Sequence, residues 1–360
     1  RTLPARVEGV IEERIGRLEP EMYEILSVAS VEGERFTADV VARVQGVNEL
    51  HVLRKLSRLE RHHRLVRERE QVRVDHRRFS CYQFTHNLFQ GYLYRNLGVG
   101  ERRLLHGEIA QALEGLYKEH TGETAMQLAH HFLKAGERVK AAGYLVQAGD
   151  QARSLVALDE AVSYYRTALE HWPAADRAGR AELLRKLGEC QWMYGDPQHA
   201  LATLEASFEL FAALGDRMGA GVTQRIMAEL CLEEADPEQW QQHHQQALAL
   251  LEGGPESKEL ARTISALSRM YSLVGEHDQA LAWGQQALDM AERLGAGDVA
   301  VHALNNLGSA YAALGDAERG LDALRDSLRQ ALELNLPFDA ARAYFNLGDK
   351  LQGLGRYDES

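Results

Sequence analysis

Histidine and cysteine side chains are the candidates for metal or nucleophilic chemistry in this chain of 360 residues. Adjacent histidines occur at His62-His63, His130-His131 and His243-His244. Neighbouring residues on a helix point about 100° apart, so none of these pairs converges on one ion. Three cysteines are too few for a disulfide framework and indicate a reducing compartment. Because no catalytic triad or carboxylate pair is recognisable either, we predict a non-enzyme without a metal site.

A basic segment is the main feature of the charge distribution. Residues 51–80 carry ten basic and four acidic residues, a net charge of +6, whereas the whole chain carries −12 and the remainder therefore −18. Its candidate contacts to phosphates or to a partner domain are Arg54, Arg58, Arg61, Arg64, Arg77 and Arg78. Such a surface can bind nucleic acid, pack against another domain or remain solvated. The net charge of −12 argues against extensive nucleic-acid binding by the chain.

A phosphate-binding loop is absent from the sequence. The pattern G-x-x-x-x-G-K-[ST], whose backbone amides cradle nucleotide phosphates, does not occur in it. We therefore expect no cofactor in this chain and no self-sufficient ATPase activity.

The elements that must position these residues are helices. Seven prolines, 7% aromatic residues and 45% hydrophobic residues favour an all-α fold with ample core. A pair made of a hydrophobic and a small residue recurs every 40 residues, at Leu187-Gly188, Met227-Ala228, Leu267-Ser268, Leu307-Gly308 and Leu347-Gly348. A fixed period of this length is typical of stacked helical repeats, which form an α-solenoid.

Glycine and aspartate divide each repeat into two helices. Gly195-Asp196-Pro197 and Gly315-Asp316 mark the middles of two repeats, and Leu214-Gly215-Asp216 marks an end. Glycine ends a helix in the left-handed conformation, and aspartate caps the amides of the next. Small residues at Gly188, Gly308 and Gly348 are predicted to let the paired helices approach closely.

This pattern resembles tetratricopeptide repeats in a 40-residue variant. The resemblance covers residues 179–360 strongly and residues 125–172 more weakly. The last copy stops where its second helix should begin, so we expect a solenoid over 119–360 that is truncated in its last repeat. The resemblance implies a groove for a protein or peptide, with candidate contacts Arg185, Trp192, Arg225, Arg269, Asn305, Asn306 and Asn346. Each of these side chains can instead be solvated or cover a neighbouring repeat.

The first 118 residues lack the 40-residue period and form a separate predicted domain. Helices are predicted at Pro4–Leu18, Pro20–Val31, Thr37–Val44, Asn48–His63, His86–Asn96 and Gly100–Tyr117. Two β-rich runs, Arg64–Glu70 and Phe79–Phe84, flank a segment that can form a hairpin loop or an extra strand. Helices followed by a short hairpin are typical of a winged helix, so we predict a winged-helix-like domain over 1–118.

Three segments of the chain resemble a family of bacterial signalling ATPases of the STAND type. They read LPARVEGVIEERIGRL, LSVASVEGERFTADVVARV and FTHNLFQGYLYRNL. Members combine an AAA-like nucleotide domain, a winged helix and tetratricopeptide repeats, often with cyclase, kinase or transcription-factor domains. The resemblance implies that this chain is the C-terminal half of such a protein, with the nucleotide domain upstream in cis and ATP or ADP bound by the parent protein.

The same resemblance singles out one histidine. Thr85, His86 and Asn87 occupy the places of a Met-His-Asp sensor found in plant and animal relatives, so only the histidine is retained. The resemblance implies that His86 contacts the terminal phosphate of bound ADP and holds the resting state. The alternative is a structural histidine that caps the following helix.

These observations predict the non-catalytic regulatory and protein-interaction region of a signalling ATPase. The alternatives are a DNA-binding regulator that uses the basic winged helix, or a plain interaction scaffold. No apolar run approaches the roughly 18 residues of a membrane span, so we expect a cytoplasmic protein without membrane contact. Formation of a homo-oligomer stays open.

Overall fold

The computed structural model describes residues 5–69, 71–74, 77–117, 124–234 and 236–356. For residues 5–8, 72–74, 77, 232–233 and 237 it describes the backbone only. The chain forms two compact units, Arg1–Ala175 and Asp176–Ser360. The described residues are mostly helical, with eighteen α-helices and five short strands.

The first unit contains nine helices among its described residues. They are α1 Ala5–Gly16, α2 Pro20–Glu32, α3 Ala38–Gln45, α4 Glu49–Arg58, α5 Asn87–Asn96, α6 Val99–Tyr117, α7 Ala125–Ala135, α8 Arg138–Ser154 and α9 Leu158–His171. A π-helical turn, Leu59–His63, extends α4. Its hydrophobic core runs from Ile11 to Ala141 and therefore includes residues of α7 and α8.

Five short strands lie between these helices. They are β1 Arg35–Thr37, β2 Val66–Glu68, β3 Val72–Val74, β4 Arg77–Phe79 and β5 Cys81–Phe84. The strands β1, β5 and β2 form an antiparallel sheet in that order, with Phe36 opposite Tyr82 and Val66 opposite Phe84. The strands β3 and β4 form a separate hairpin. The aromatic rings of Phe36, Tyr82 and Phe84 pack together and anchor the sheet in the core.

The first strand of this sheet was not predicted. The predicted helix begins at Thr37, whereas in the structure Thr37 ends β1 and α3 begins at Ala38. The run Arg35–Thr37 is too short to show an alternating pattern, and its pairing with β5 joins residues nearly 50 positions apart. The sequence allows either a hairpin loop or an extra strand in the segment 71–78. This segment contains β3 and most of β4, which pair with each other.

The second unit consists of nine further helices among its described residues. They are α10 Arg177–Tyr194, α11 Pro197–Leu214, α12 Arg217–Glu233, α13 Pro237–Leu251, α14 Lys258–Leu273, α15 His277–Leu294, α16 Gly297–Ala313, α17 Ala317–Glu333 and α18 Pro337–Gly353. Successive first helices begin 40 residues apart to within one residue, and so do successive second helices. The predicted period and the predicted helix pairs are confirmed.

As predicted, these helices end at glycines and begin at aspartates. The side chains of Asp196, Asp216 and Asp316 each accept a hydrogen bond from the backbone amide three residues later, at 3.5, 2.9 and 3.4 Å. Gly195 and Gly315 both have φ +92°, a conformation that a side chain would strain. These caps satisfy backbone groups that have no partner within the helix.

Close approach of paired helices is confirmed at two of the three predicted glycines. A Cβ atom on Gly188 would lie 2.7 Å from Leu204 Cγ, and one on Gly308 would lie 2.8 Å from the carbonyl oxygen of Gly320. At Gly348 the same atom would meet no described residue within 4 Å, and the prediction for this glycine stays untested. The second helix of that pair would follow residue 356, outside the described residues.

No helix in the described parts of the chain combines the length and the apolar character needed to cross a membrane.

Candidate functional site

The candidate site of the second unit lies on the surface formed by the first helix of each pair. The helices α10, α12, α14, α16 and α18 contact one another in this order, and each also packs on its own second helix where that helix is described. We call their shared surface the first-helix face. All seven predicted groove residues lie on these five helices.

At the α10–α12 end of the first-helix face, arginines are neutralised by glutamates. Arg185 contacts Glu182 at 2.5 Å, and Arg225 Nη1 lies 2.6 Å from Glu229 Oε1. Burial would lower the pKa of Arg225, but nearby carboxylates, that of Glu229 first, outweigh it and raise the pKa. The same arginine holds the pKa of Glu229 below its usual value although burial acts in the opposite direction. Both contacts lie within one helix and neutralise the charge of these two arginines.

In the middle of the face, asparagines connect successive first helices. Asn306 Nδ2 donates to the carbonyl oxygen of Ser265 at 2.8 Å, which joins α16 to α14. Asn346 Nδ2 donates to Asn305 Oδ1 at 2.6 Å, which joins α18 to α16. Asn305 and Asn306 are buried, at 1% and 4% exposure, so their first role is to hold the stack together. His302 completes this network through a 2.7 Å hydrogen bond with Ser265 Oγ.

A pocket of about 360 Å³ opens on the α14–α18 end of the face. Three cationic residues line it, Arg269, Arg342 and Lys350, and no acidic residue is among the described residues of its wall. Ser272, Ser309, Asn306 and Asn346 supply polar groups, and Leu273, Ala313 and Phe345 supply an apolar side. The three predicted groove residues Arg269, Asn306 and Asn346 are brought together here, whereas Arg342 and Lys350 were not predicted.

Arg342 makes long contacts in this pocket, whereas Lys350 pairs with Asp349 at 2.9 Å. The Arg342 guanidinium lies 3.7 Å from the Asp339 carboxylate and 3.4 Å from the carbonyl oxygen of His302, both long contacts. Burial, together with the guanidiniums of Arg269 and Arg262, lowers the pKa of Arg342 to about 10 although Asp339 acts in the opposite direction. Burial and then Arg342 also keep the pKa of His302 well below its ordinary value, so this imidazole is neutral.

The remaining predicted groove residue, Trp192, lies on α10, away from this pocket. Its side chain is half-buried and packs against the core cluster that contains Ala200 and Leu204. The predicted set therefore divides into an interior, charge-balanced group and a smaller group at the pocket.

In the first unit, His86 caps a helix. Its Nδ1 atom accepts a hydrogen bond from the backbone amide of Leu88 at 3.2 Å, at the beginning of α5, and the residue is exposed. This is the contact expected of the structural alternative. Nδ1 is used by this cap, and His86 also lines a pocket of about 420 Å³ together with Arg67 and Arg69.

The basic segment is partly paired within its own unit. Arg58 contacts Glu19 at 2.9 Å, and Lys55 contacts both Glu19 and Glu21. The exposed members of the predicted set are Arg54, Arg58, Arg61, Arg64 and Arg78. The side chain of Arg77 lies outside what the structure describes.

A chain of hydrogen bonds that the sequence did not reveal crosses the core of the first unit. Tyr94 Oη lies 3.1 Å from His106 Nε2, and His106 Nδ1 lies 2.8 Å from His131 Nδ1. His131 also hydrogen-bonds to the backbone of Glu32. Since His131 donates to that carbonyl through Nε2, the hydrogen bonds run from Tyr94 to His106 and on to His131 with both rings neutral. Burial lowers the pKa of His106 to about 4 and that of His131 to about 3.

The end of this chain lies beside a buried carboxyl group. Glu32 Oε1 accepts hydrogen bonds from the amide and the hydroxyl group of Thr37, at 3.0 and 3.1 Å. Burial raises the pKa of Glu32 to about 8, so its carboxyl group is protonated at neutral pH. Among the described residues, no group of three or more histidine, cysteine, aspartate or glutamate side chains could hold a metal ion.

The family comparison agrees with the geometry of the helix pairs. The tetratricopeptide repeat family matches residues 157–213 and 219–293. The chain therefore contains tetratricopeptide repeats, which are non-catalytic modules for protein interaction, and the match includes α9, the last helix of the first unit.

Solved structures resemble the chain only distantly. BtubC (BKLC) from P. vanneervenii is 19% identical, covers 62% of this chain and 93% of its own, and has a TM-score of 0.46. A STAND protein with a tetratricopeptide repeat sensor from Pyrococcus horikoshii is 14% identical over 100% of this chain, with a TM-score of 0.45, and the alignment spans 58% of that protein. A TPR protein from Thermus thermophilus is 22% identical, covers 57% of this chain and 99% of its own, and has a TM-score of 0.42. These likenesses assign no function to this chain. No curated protein matches it.

Proposed function

We propose that this chain is the protein-interaction and regulatory region of a signalling ATPase. Its second unit binds a protein or peptide partner at the first-helix face, and its first unit relays that binding to a nucleotide domain in the parent protein. The observation that carries the proposal is the stack of tetratricopeptide helix pairs, whose first helices present one polar face with a pocket.

The first unit supports the relay by its order of elements. The order α2, β1, α3, α4, β2 and β5, with β5 between β1 and β2, supports the proposal of a winged-helix-like unit, in which α4 would take the recognition position. Lys55 and Arg58 on α4 pair with glutamates of the same unit, which favours packing within the protein over DNA binding. The family resemblance places a nucleotide domain beside such a unit.

His86 gives the relay a candidate contact. Its Nδ1 atom is occupied by the cap of α5, which leaves Nε2 as the donor of the ring, and His86 lines a pocket together with Arg67 and Arg69. A terminal phosphate of ADP bound by the parent protein would accept from this donor. The cap and the sensor therefore use different atoms of one ring.

The proposal is tested by selecting partners for the whole chain from a random-peptide library. Hydrogen exchange of the chain with an enriched peptide should protect amides of α14, α16 and α18. In the parent protein, the same peptide should change the rate of ATP turnover. Enrichment of no peptide, or protection confined to the second helices, would contradict the interaction function, and unchanged turnover would contradict the relay.

A further inference from the structure

A pocket of about 920 Å³ lies within the first unit, where the three-stranded sheet meets the helices α2, α6 and α7. Its wall includes Glu32 of α2, Thr37 of β1, Tyr82 of β5, Leu113 of α6 and Gln127 of α7. This volume is in the range of roughly 300–1,000 Å³ that is usual for small-molecule sites. The pocket can therefore take a small organic ligand.

The carboxyl group of Glu32 is buried in this wall with one oxygen atom unpaired. Glu32 is 8% exposed. Its Oε1 atom accepts hydrogen bonds from the amide and the hydroxyl group of Thr37, whereas Oε2 has no hydrogen-bond partner among the residues that the structure describes. His131 of α7 hydrogen-bonds to the backbone of Glu32 and so fixes the end of α2. Because a buried polar atom without a partner costs free energy, a ligand that donates to Oε2 would stabilise the folded chain.

The other side chains of the wall indicate what else such a ligand carries. Arg35, Glu68 and Arg69 are exposed, and they place two positive charges and one negative charge in the outer part of the pocket. The rings of Phe36 and Tyr82 stack on each other and are only 1% and 3% exposed, so hardly any ring surface is open for a nucleobase. A molecule with charges of both signs therefore fits this wall better than a nucleotide does.

We propose that this pocket binds a small zwitterion of the amino-acid type, a primary amine that also carries a carboxylate. The ammonium group donates to Glu32 Oε2, and the carboxylate lies beside Arg35 and Arg69. An ammonium group has three donors and no acceptor, which suits an oxygen atom without another partner. Its positive charge also favours the ionised carboxylate, so Glu32 releases its proton to the solvent when the ligand binds. The volume leaves room for a free amino acid or a dipeptide.

This inference does not depend on the proposed interaction function, and its test needs no protein partner. The whole chain is screened by saturation-transfer NMR against the free L-amino acids and their glycyl dipeptides, and binders are titrated by calorimetry. At least one compound should bind with a dissociation constant of about 1 mM or tighter. Its N-acetyl derivative, which lacks the ammonium group, and its C-terminal amide, which lacks the carboxylate, should each bind at least tenfold more weakly. Binding of no compound, or equal affinity of either derivative, would overturn the inference.

Proton release distinguishes an ammonium ligand from a neutral one. Burial holds the pKa of Glu32 at about 8 in the free chain, although the two hydrogen bonds from Thr37 act in the opposite direction, and the charge of Asp39 adds to the effect of burial. Calorimetry at pH 7 in buffers of different ionisation enthalpy should therefore show that about one proton leaves per ligand bound. Binding without proton release would overturn the contact between the ammonium group and Glu32.

The protein side of the test uses matched charge changes. Glu32→Gln keeps an acceptor for Thr37 and should weaken binding at least tenfold and abolish the proton release. Glu24→Gln makes the same change at an exposed position of α2 and should leave the affinity unchanged. Arg35→Gln should weaken binding three- to tenfold. Unchanged affinity of the Glu32→Gln variant would overturn the inference, and if that variant does not fold, the proton release of the unmodified chain decides.

Discussion

At the scale of single residues, His86 shows how one ring can be assigned two roles. The helix-capping contact uses Nδ1 alone, so an asparagine at this position keeps an acceptor for the amide of Leu88 but loses the imidazole donor. Alanine loses both. The two substitutions therefore separate the structural role from the sensor role that the family resemblance implies.

We expect His86→Ala to destabilise the isolated chain by about 1 kcal/mol, the usual cost of a lost cap, and His86→Asn to leave its melting temperature nearly unchanged. In the parent protein both variants should raise basal output, because a contact made only in the ADP-bound resting state is removed. Thermal melts of the chain and activity of the parent protein measure the two effects. If His86→Ala destabilises the chain but neither variant changes the basal output of the parent protein, the sensor role is excluded.

We expect the stability of the chain to depend on pH through Glu32, and a single isosteric substitution isolates this effect. Its pKa rises from the ordinary 4.5 to about 8 in the folded state, so the folded chain keeps a proton that the unfolded chain loses. The free energy of unfolding therefore falls, through this carboxyl group, as the pH rises from 4.5 through 8. Glu32→Gln keeps the acceptor for Thr37 and removes this loss.

The free energy of unfolding of the Glu32→Gln variant should equal that of the unmodified chain near pH 4.5. At pH 7 it should be higher by roughly 3 kcal/mol, since each pKa unit corresponds to about 1.4 kcal/mol. Denaturant unfolding at a series of pH values measures it. His106 and His131 act with the opposite sign, losing stability as pH falls below 6.5, but they are present in both proteins and cancel in the difference. The exposed Glu24→Gln on the same helix is the control, and an equal gain there would contradict the assignment.

At the scale of elements, two glycines at the same repeat position have opposite packing. A Cβ atom on Gly308 would meet the backbone of Gly320 at 2.8 Å, whereas one on Gly348 would meet no described residue within 4 Å. We expect Gly308→Ala to destabilise the chain by about 1–3 kcal/mol through overpacking. Gly348→Ala should be neutral or stabilise the helix by up to about 1 kcal/mol. Urea unfolding of both variants measures this, and equal effects at the two sites would contradict the close approach.

These elements also show what the sequence could predict. A 40-residue period, glycine C-caps and aspartate N-caps are local signals, and they predicted the ends of α10, α11 and α16 and the starts of α11, α12 and α17 to within a few residues. The strand β1 has no such signal, because three residues show no periodicity and their partner β5 is distant in sequence. The contact of His106 with His131 likewise depends on how α6 packs on α7.

The candidate site was predicted in part for a related reason. Repeat positions identify which residues lie on the first helices, and Arg269 and Asn346 were found in this way. They do not show how deep a side chain lies or which neighbour neutralises it. Arg225 therefore resembled a free cation in the sequence, although Glu229 one turn later compensates it, and Arg342 was not singled out at all.

At the scale of the whole molecule, the charge distribution limits how the basic segment can act. The segment carries +6 in a chain of −12, and two of its cations, Lys55 and Arg58, already contact Glu19. This leaves Arg54, Arg61, Arg64 and Arg78 as the exposed arginines of the predicted set without such a pairing to Glu19. About four phosphate contacts are far fewer than a tight DNA-binding protein makes.

We therefore expect the chain to bind duplex DNA only weakly and without sequence preference, with a dissociation constant no tighter than about 1 μM at physiological salt. Because each phosphate contact releases about 0.9 counterion, the logarithm of the affinity should fall with the logarithm of the salt concentration at a slope of at most about −4. Electrophoretic or anisotropy titrations at several salt concentrations measure both quantities.

The variant Arg54→Gln with Arg61→Gln should reduce the slope by about two, whereas the matched pair Arg325→Gln with Arg329→Gln in the second unit should not change it. Sequence-specific binding below micromolar concentration at physiological salt would make the basic winged-helix-like unit a DNA-binding surface, and the relay to a nucleotide domain would lose its main structural support.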